Sequence, residues 1–297
     1  QDHLDYHGSM EAYWAAKAAL FDWPALVSAV VNLDDPRGVS LAATLASRGL
    51  DLWTVGIDSP ARLNAVDIRF TRAGMAFDVV ERDAHGAELD RHSLQVPLVG
   101  RYNVSNLLCV LASARALGVP LADAVQACSV LSPVPGRMQQ VPATGGQPLV
   151  LVDYAHTPDA LDKALLALQP LAARRGGALW VVVGCGGDRD AGKRPLMAAV
   201  AQRQAQRVVL TSDNPRSEDP AHILHQILQG TIAGDTVRVE PDRAAAITLA
   251  LAEADPADVV LIAGKGHENT QETAGVHQPF SDMAHALGAL QARGARP

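Results

Sequence analysis

Apolar positions fall in short blocks whose period changes along the chain. Glu11 to Phe21 carries them at helical spacing, with Ser9 placed as a cap and Glu11 in the first turn, where an acidic group suits the helix dipole. Ala25 to Asn32 is a continuous apolar, β-branched run, which predicts a buried strand. Ser40 to Arg48 predicts a helix and Leu52 to Ile57 a strand. From about residue 63 to 96 the pattern becomes alternating, as in Ala65-Val66-Asp67-Ile68-Arg69-Phe70, with Gly74 and Gly86 as turn signals; this predicts antiparallel hairpins. Two helices follow, Asn103 to Leu117 and Leu121 to Leu131, separated by Gly118 and Pro120.

Ser132-Pro133-Val134-Pro135-Gly136-Arg137 breaks the helical pattern and marks the best domain boundary, giving domains 1–135 and 136–297. Beyond it strand and helix alternate. The strands are Leu149 to Val152, Ala178 to Gly184, Arg207 to Thr211, Val237 to Val239 and Val259 to Ala263. Helices start near Thr157, Gly192, Asp219, Asp242 and Ser281, and Thr157-Pro158 and Asp219-Pro220 each set a capping residue before a first-turn proline. The fold class is α/β, with a doubly wound sheet in the second domain and ligands expected beyond the carboxyl ends of its strands.

Composition narrows the function. The 297 residues are 48% hydrophobic, enough for two cores, and the net charge of −7 gives no electrostatic footprint for nucleic acid. An anionic substrate must then be held by local basic groups and backbone donors. Cys109, Cys128 and Cys185 are far apart and form no CxxC pair, which argues against a zinc site or a disulfide framework and suits a reducing cytoplasm. No run of about 18 apolar residues predicts membrane insertion, and no signal peptide is present. The chain opens on Gln1 without a methionine, which reads as a fragment or a processed chain.

Several loops at strand ends carry candidate chemistry. Gly187 to Lys193 has the spacing of a phosphate-binding loop, but Arg194 stands where Ser or Thr would ligate magnesium, and Asp188 and Asp190 would point charge at the phosphates. It reads instead as a turn that presents Arg189; no other segment resembles a phosphate-binding loop, so if the protein uses ATP, its triphosphate cradle is expected upstream of Gln1. Asp213-Asn214-Pro215-Arg216 is an ordinary turn composition, except that the arginine's planar fork can grip a carboxylate. Gly264-Lys265-Gly266-His267-Glu268 lets a ligand approach backbone, and Glu268 can pair with an ammonium; a loop of solvated charges fits as well. Asp153, Tyr154 and His156 suit a ribose and a base, or simply a capped helix start. Asp2-His3-Leu4-Asp5-Tyr6-His7 can bind metal, while Lys17 alone reads as a solvated helix lysine.

Together these segments resemble the Mur ligases, in family order and over essentially the whole chain: DHLDYHG, AAK, GRYNVSNLL, PGRM, DYAHTPDAL, GCGGDRDAGKRP, DNPR and GKGHE. Tyr102 before the first Asn of GRYNVSNLL, together with DNPR, is closest to the diaminopimelate-adding branch. The resemblance implies the later part of a central ATPase domain, a mixed sheet with helices, followed by a Rossmann-like doubly wound C-terminal domain. It implies that the N-terminal domain and the P-loop lie outside this chain. The implied activity is ATP- and Mg2+-dependent amide formation between UDP-N-acetylmuramoyl-L-alanyl-D-glutamate and meso-diaminopimelate, through an acyl phosphate, in the cytoplasm and as a monomer. Closure about a hinge near Pro135 to Arg137 would bring the reactants together. By the same resemblance Lys17 is carbamylated and His3 ligates magnesium. Asn103, Asn106, Arg137 and Asp153 border the nucleotide, with Tyr154 and His156 as neighbours. Arg189, Asp213, Asn214, Arg216, Gly264 and Glu268 hold the amino acid. Two alternatives are an inactive fragment of such an enzyme and a folylpolyglutamate synthase-like ligase. The incomplete central domain is expected to expose an apolar sheet face.

Overall fold

The computed structural model describes residues 7–71, 74–232 and 234–294. The chain divides into two compact units, residues 1–132 and 133–297.

The first unit opens with helix α1 (Met10–Ala18), capped by Ser9, whose hydroxyl accepts from Ala12 N at 3.1 Å, and a 3-10 turn (Ala19–Asp22). Next come β1 (Ser28–Asn32), α2 (Pro36–Ala46) and β2 (Asp51–Gly56), then β3 (Leu63–Thr71), β4 (Gly74–Arg82) and β5 (Glu88–Val96), and helices α3 (Arg101–Ala116) and α4 (Leu121–Ser129). The sheet order is β1-β2-β3-β4-β5, parallel through β3 and antiparallel beyond it. Ala29 and Val31 face one way, against Ala42 and Leu45 of α2. The other side of the sheet packs Trp53, Val55, Phe77, Val79 and Leu94 against Leu107, Leu108 and Leu111 of α3 and Val125 of α4. Every second residue of β4 between Met75 and Val79 is buried, as alternation on one covered face requires.

Three expectations for this unit need correction. Helix α2 starts four residues before Ser40, because Asp35 caps it (Arg37 N to Asp35 Oδ1, 2.8 Å) and Pro36 enters its first turn. The first strand starts at Ser28, not Ala25. The far side of β4 and β5 is polar: Arg91 pairs with Glu88 at 2.8 Å and Asp78 at 3.2 Å, and Ser93 donates to Asp78 at 2.6 Å. Leu89 of β5 is an exposed apolar group in the sheet itself, and Leu20, Trp23 and Val27, leading into β1, are exposed as well.

The second unit contains β6 (Gln139–Gln140), β7 (Leu149–Asp153), α5 (Pro158–Arg175), β8 (Leu179–Val183), α6 (Lys193–Gln204), β9 (Arg207–Leu210), α7 (Pro220–Leu228), β10 (Val237–Val239), α8 (Arg243–Glu253), β11 (Val259–Ala263), β12 (Thr270–Thr273), β13 (Val276–Pro279) and α9 (Asp282–Gly294). The main sheet runs β10-β9-β8-β11-β7-β6, all parallel except β6. β8 and β11 are buried at every position, as strands covered on both faces must be. Val150, Trp180, Val182 and Ile262 pack beneath Ile247 and Leu251 of α8 and Leu290 of α9. Caps set the helix starts: Thr157 Oγ1 accepts from Ala160 N at 3.3 Å, and Asp242 accepts from Ala244 and Ala245. The hairpin β12–β13 was not predicted; it turns through Ala274 and Gly275, both with positive φ.

Among the described residues no helix is long and apolar enough to cross a membrane.

Candidate functional site

In the first unit, His3 lies outside the described residues. Lys17 is exposed in the last turn of α1, its Nζ 5.5 Å from the centroid of the Tyr13 ring. As an ammonium, Lys17 has no lone pair to offer a cation; the metal role implied by the resemblance is that of its carbamate, an oxygen donor. No group of three His, Cys, Asp or Glu among the described residues forms a metal cage. Asn103 and Asn106 stand one turn apart at the start of α3. Asn103 Nδ2 donates to Val99 O at 2.8 Å, and Asn106 Nδ2 reaches Asn103 Oδ1 at 3.4 Å. Asp34, which the sequence did not single out, ties the loop after β1 to the loop after β2. It accepts from the amides of Ile57, Asp58 and Ser59 at 2.7, 3.1 and 2.9 Å. Burial pushes its carboxyl up, but the three amides outweigh this and hold it below the usual carboxylate value.

In the second unit the loops after β7, β8, β9 and β11 gather at the carboxyl edge of the sheet. After β7, Tyr154 sits within an aromatic and cationic group. The Arg137 guanidinium is 4.7 Å from its ring centroid, the His156 ring 4.6 Å away edge-on, and His267 5.7 Å away. Backbone approach is tight here. A Cβ on Gly136 would sit 2.1 Å from His267 N, and one on Gly266 would sit 2.8 Å from the Tyr154 Cβ. Asp153 is buried, and its two oxygens accept from Met138 N (2.7 Å) and Ala155 N (2.9 Å). Burial pushes its carboxyl above the ordinary value despite those bonds. Its visible task is to anchor the 136–138 turn to β7.

The remaining loops place the other predicted residues together. Asn214 Nδ2 donates to Glu268 Oε2 at 2.8 Å, while Asn214 Oδ1 accepts from Lys265 Nζ (2.9 Å) and Glu272 N (3.0 Å). Lys265 also donates to Glu268 Oε2 at 3.0 Å and lies 3.8 Å from Asp213. Burial raises the Glu268 carboxyl, and the bonds from Lys265 and Asn214 outweigh it, so Glu268 is held below its usual range. Asp213 is the reverse case: burial pushes it up against the pull of Arg243 and Lys265. Gly264 has φ +118, and a Cβ there would lie 2.6 Å from Asp213 Oδ2, so only glycine fits. Arg216, also with positive φ (+53), donates from Nη1 to Gly187 O at 2.7 Å and lies 3.7 Å from Glu272. Arg189 is exposed, with its Nη1 3.2 Å from Asp188 O. The Glu268 carboxylate, paired with Lys265, and the Arg216 and Arg189 guanidinium groups thus lie on loops along one edge.

The loop 187–193 does not cradle phosphate. Three of its amides are already engaged, Gly187 N with Asn214 O, Asp188 N with Glu218 and Gly192 N with Asp190, and so is the next one, Arg194 N with Ala191 O.

Lys265 escaped the sequence reading. It is fully buried rather than solvated, and its contacts span loops some 50 residues apart. Two other buried charges also escaped it, Arg194 paired with Glu218 and Arg243 paired with Asp282 at 2.7 Å.

Residues 1–114 match the Mur ligase middle domain, and residues 136–266 match the family described as Mur ligase, glutamate ligase domain. The chain belongs to the Mur ligases. Over 294 residues it is 64% identical to the UDP-N-acetylmuramoyl-L-alanyl-D-glutamate–2,6-diaminopimelate ligase of Acidovorax sp. (strain JS42), covering 99% of this chain and 57% of that protein. It is 50% identical to the enzyme of the same name from Pseudomonas aeruginosa, covering 98% of this chain and 58% of that protein. The chain thus spans somewhat more than half the length of these Mur ligases. A solved structure of a ligase of that name is similar at TM-score 0.66 and 39% identity, over 100% of this chain and 59% of that one. A folylpolyglutamate synthase from Thermotoga maritima is similar at TM-score 0.55 and 16% identity over 77% of this chain and 49% of that one, a likeness of fold alone.

Proposed function

We propose that this chain supplies the amino-acid-binding part of an ATP-dependent amide ligase that adds meso-diaminopimelate to UDP-N-acetylmuramoyl-L-alanyl-D-glutamate. The observation that carries the reading is the grouping of Asn214, Arg216 and Glu268 at the carboxyl edge, with Arg189 on the adjoining loop. Diaminopimelate ends in a second carboxylate and a second ammonium, which lysine does not combine. The Arg216 fork takes that carboxylate beside Asn214. Glu268 and the Gly264 carbonyl take the ammonium, and Asp213 shapes the pocket from below. Arg189 takes the carboxylate next to the reacting amine.

Asn103, Asn106, Arg137, Asp153, Tyr154 and His156 are proposed as nucleotide neighbours, with Tyr154, His156 and Arg137 offering stacking faces. Carbamylated Lys17 and His3 would hold magnesium, which offsets charge on the transferred phosphoryl group. ATP gives its γ-phosphoryl to the D-glutamate γ-carboxylate, leaving ADP. The amine of diaminopimelate attacks the acyl carbon, the carbon–oxygen bond breaks with release of phosphate, and the amine loses a proton. The enzyme is proposed to act as a cytoplasmic monomer. The amides of Gly187, Asp188 and Gly192 in the loop 187–193 are engaged within the fold, so this loop is not proposed as the phosphate cradle, and the isolated chain is proposed not to ligate.

The test is phosphate release by a polypeptide of the relatives' full length that contains this chain. Release that needs ATP, the UDP-dipeptide and meso-diaminopimelate together, and that L-lysine does not replace, is expected. Equal turnover with glutamate added to a folate would place the chain with the folylpolyglutamate synthases instead.

A further inference from the structure

Of the three loops proposed to hold the amino acid, one follows β8 with Arg189 and one follows β9 with Asn214 and Arg216. A side-chain pair that touches no ligand position links them. Arg194 is 1% exposed and forms a parallel pair of bonds with Glu218, Nη2 to Oε1 at 2.7 Å and Nη1 to Oε2 at 2.8 Å. It also donates to Gly186 O at 3.1 Å and Gln226 Oε1 at 2.6 Å.

Glu218 has a second task. Its Oε1 accepts from Asp188 N at 2.6 Å. That N–H belongs to the peptide plane whose carbonyl, on Gly187, accepts from Arg216 Nη1 at 2.7 Å. A trans peptide is rigid, with its N–H and C=O pointing opposite ways. Fixing the N–H therefore fixes the carbonyl, and the carbonyl fixes the guanidinium. Asp188 has φ +51, an unfavourable conformation that persists only where the surroundings enforce it. Ser217 contributes to that enforcement, its hydroxyl and amide bonding the Asp188 carboxylate at 2.7 and 3.1 Å.

We propose that Arg194 and Glu218 are positioning residues that aim Arg216 through the 187–188 peptide, and so set selectivity for an amino acid with a distal carboxylate. The inference rests on the substrate reading above.

The experiment measures kcat and KM for meso-diaminopimelate and for L-lysine, in the full-length polypeptide, for wild type and three variants. Glu218→Asp stays charged and close to Arg194 but is one methylene too short to reach Asp188 N. Glu218→Gln keeps the length but loses the charge. Gln226→Met removes an Arg194 contact that does not touch the loop. Both Glu218 variants are expected to raise KM for diaminopimelate at least tenfold with kcat within threefold, leaving lysine kinetics and KM for ATP unchanged. Gln226→Met is expected to lower the melting temperature and leave selectivity unchanged. Selectivity within twofold of wild type in the folded Glu218 variant, or the same loss in Gln226→Met, overturns the proposal. A wild type without preference for diaminopimelate overturns the substrate reading instead, and the proposal with it.

Discussion

Removing the Arg216 fork is the sharpest perturbation available. Its side chain is 23% exposed, so it works in a partly desolvated setting. Truncating one partner of a buried hydrogen-bonded charge pair costs about 2–5 kcal/mol, and partial exposure places Arg216→Ala near the lower end, about 2–3 kcal/mol. At about 1.4 kcal/mol per decade, the specificity constant for meso-diaminopimelate should fall roughly 30- to 150-fold. The variant also loses the 2.7 Å bond to Gly187 O and keeps an unfavourable positive φ. Those costs act on every substrate alike, so the ratio of diaminopimelate to L-lysine specificity constants isolates the carboxylate contact. Arg216→Lys, which keeps the charge and loses the planar fork, should fall between wild type and alanine. Competition between the two amino acids in one reaction, read by product mass, gives the ratio directly. A ratio within threefold of wild type for Arg216→Ala refutes the assignment.

Lys265→Met should lower the stability of the second unit by about 3–5 kcal/mol, because Asn214 Oδ1 and the carboxylates of Glu268 and Asp213 lose a buried cation; denaturant unfolding measures it. Asp153→Ala orphans the amides of Met138 and Ala155 and should cost about 2–4 kcal/mol, with faster hydrogen exchange confined to those amides and the 136–138 turn. The bond from Arg194 holds the Glu218 carboxyl down, from 4.5 to about 2. Its contribution is therefore complete above pH 4.5 and lost as pH falls from 4.5 towards 2, so acid titrations of wild type and Glu218→Gln should converge across that window.

The second unit was legible because its central strands, β8 and β11, are covered on both faces and read as unbroken apolar runs, and because Thr157, Asp219 and Asp242 announce the helix starts. Hairpin β12–β13 was not legible: Thr270 to Thr273 and Val276 to Pro279 carry no apolar alternation. Long-range backbone bonds help to hold it, from Arg216 N to Glu272 O and from Ala274 N to Arg216 O. Helix α2 was signalled by Asp35-Pro36, but the apolar period alone placed its start too late.

At the site, motif residues could be named because their chemistry is local to a loop. Their supports could not. Arg194 drew notice only as a mismatch to a phosphate loop, and its partner Glu218 lies 24 positions away on the next loop. Lys265 looked like a surface charge because nothing nearby in sequence shows that Asn214 and Asp213 enclose it.

The central claim is that the carboxyl edge of the second sheet binds the far end of diaminopimelate. The most direct test is a nuclear magnetic resonance titration of the isotope-labelled chain with meso-diaminopimelate, following arginine side-chain and backbone signals. The account predicts saturable shifts at Arg216, Arg189, Asn214 and Glu268, with much smaller ones from L-lysine at the same concentration. Equal shifts from both amino acids, or shifts confined to residues away from these loops, would contradict it.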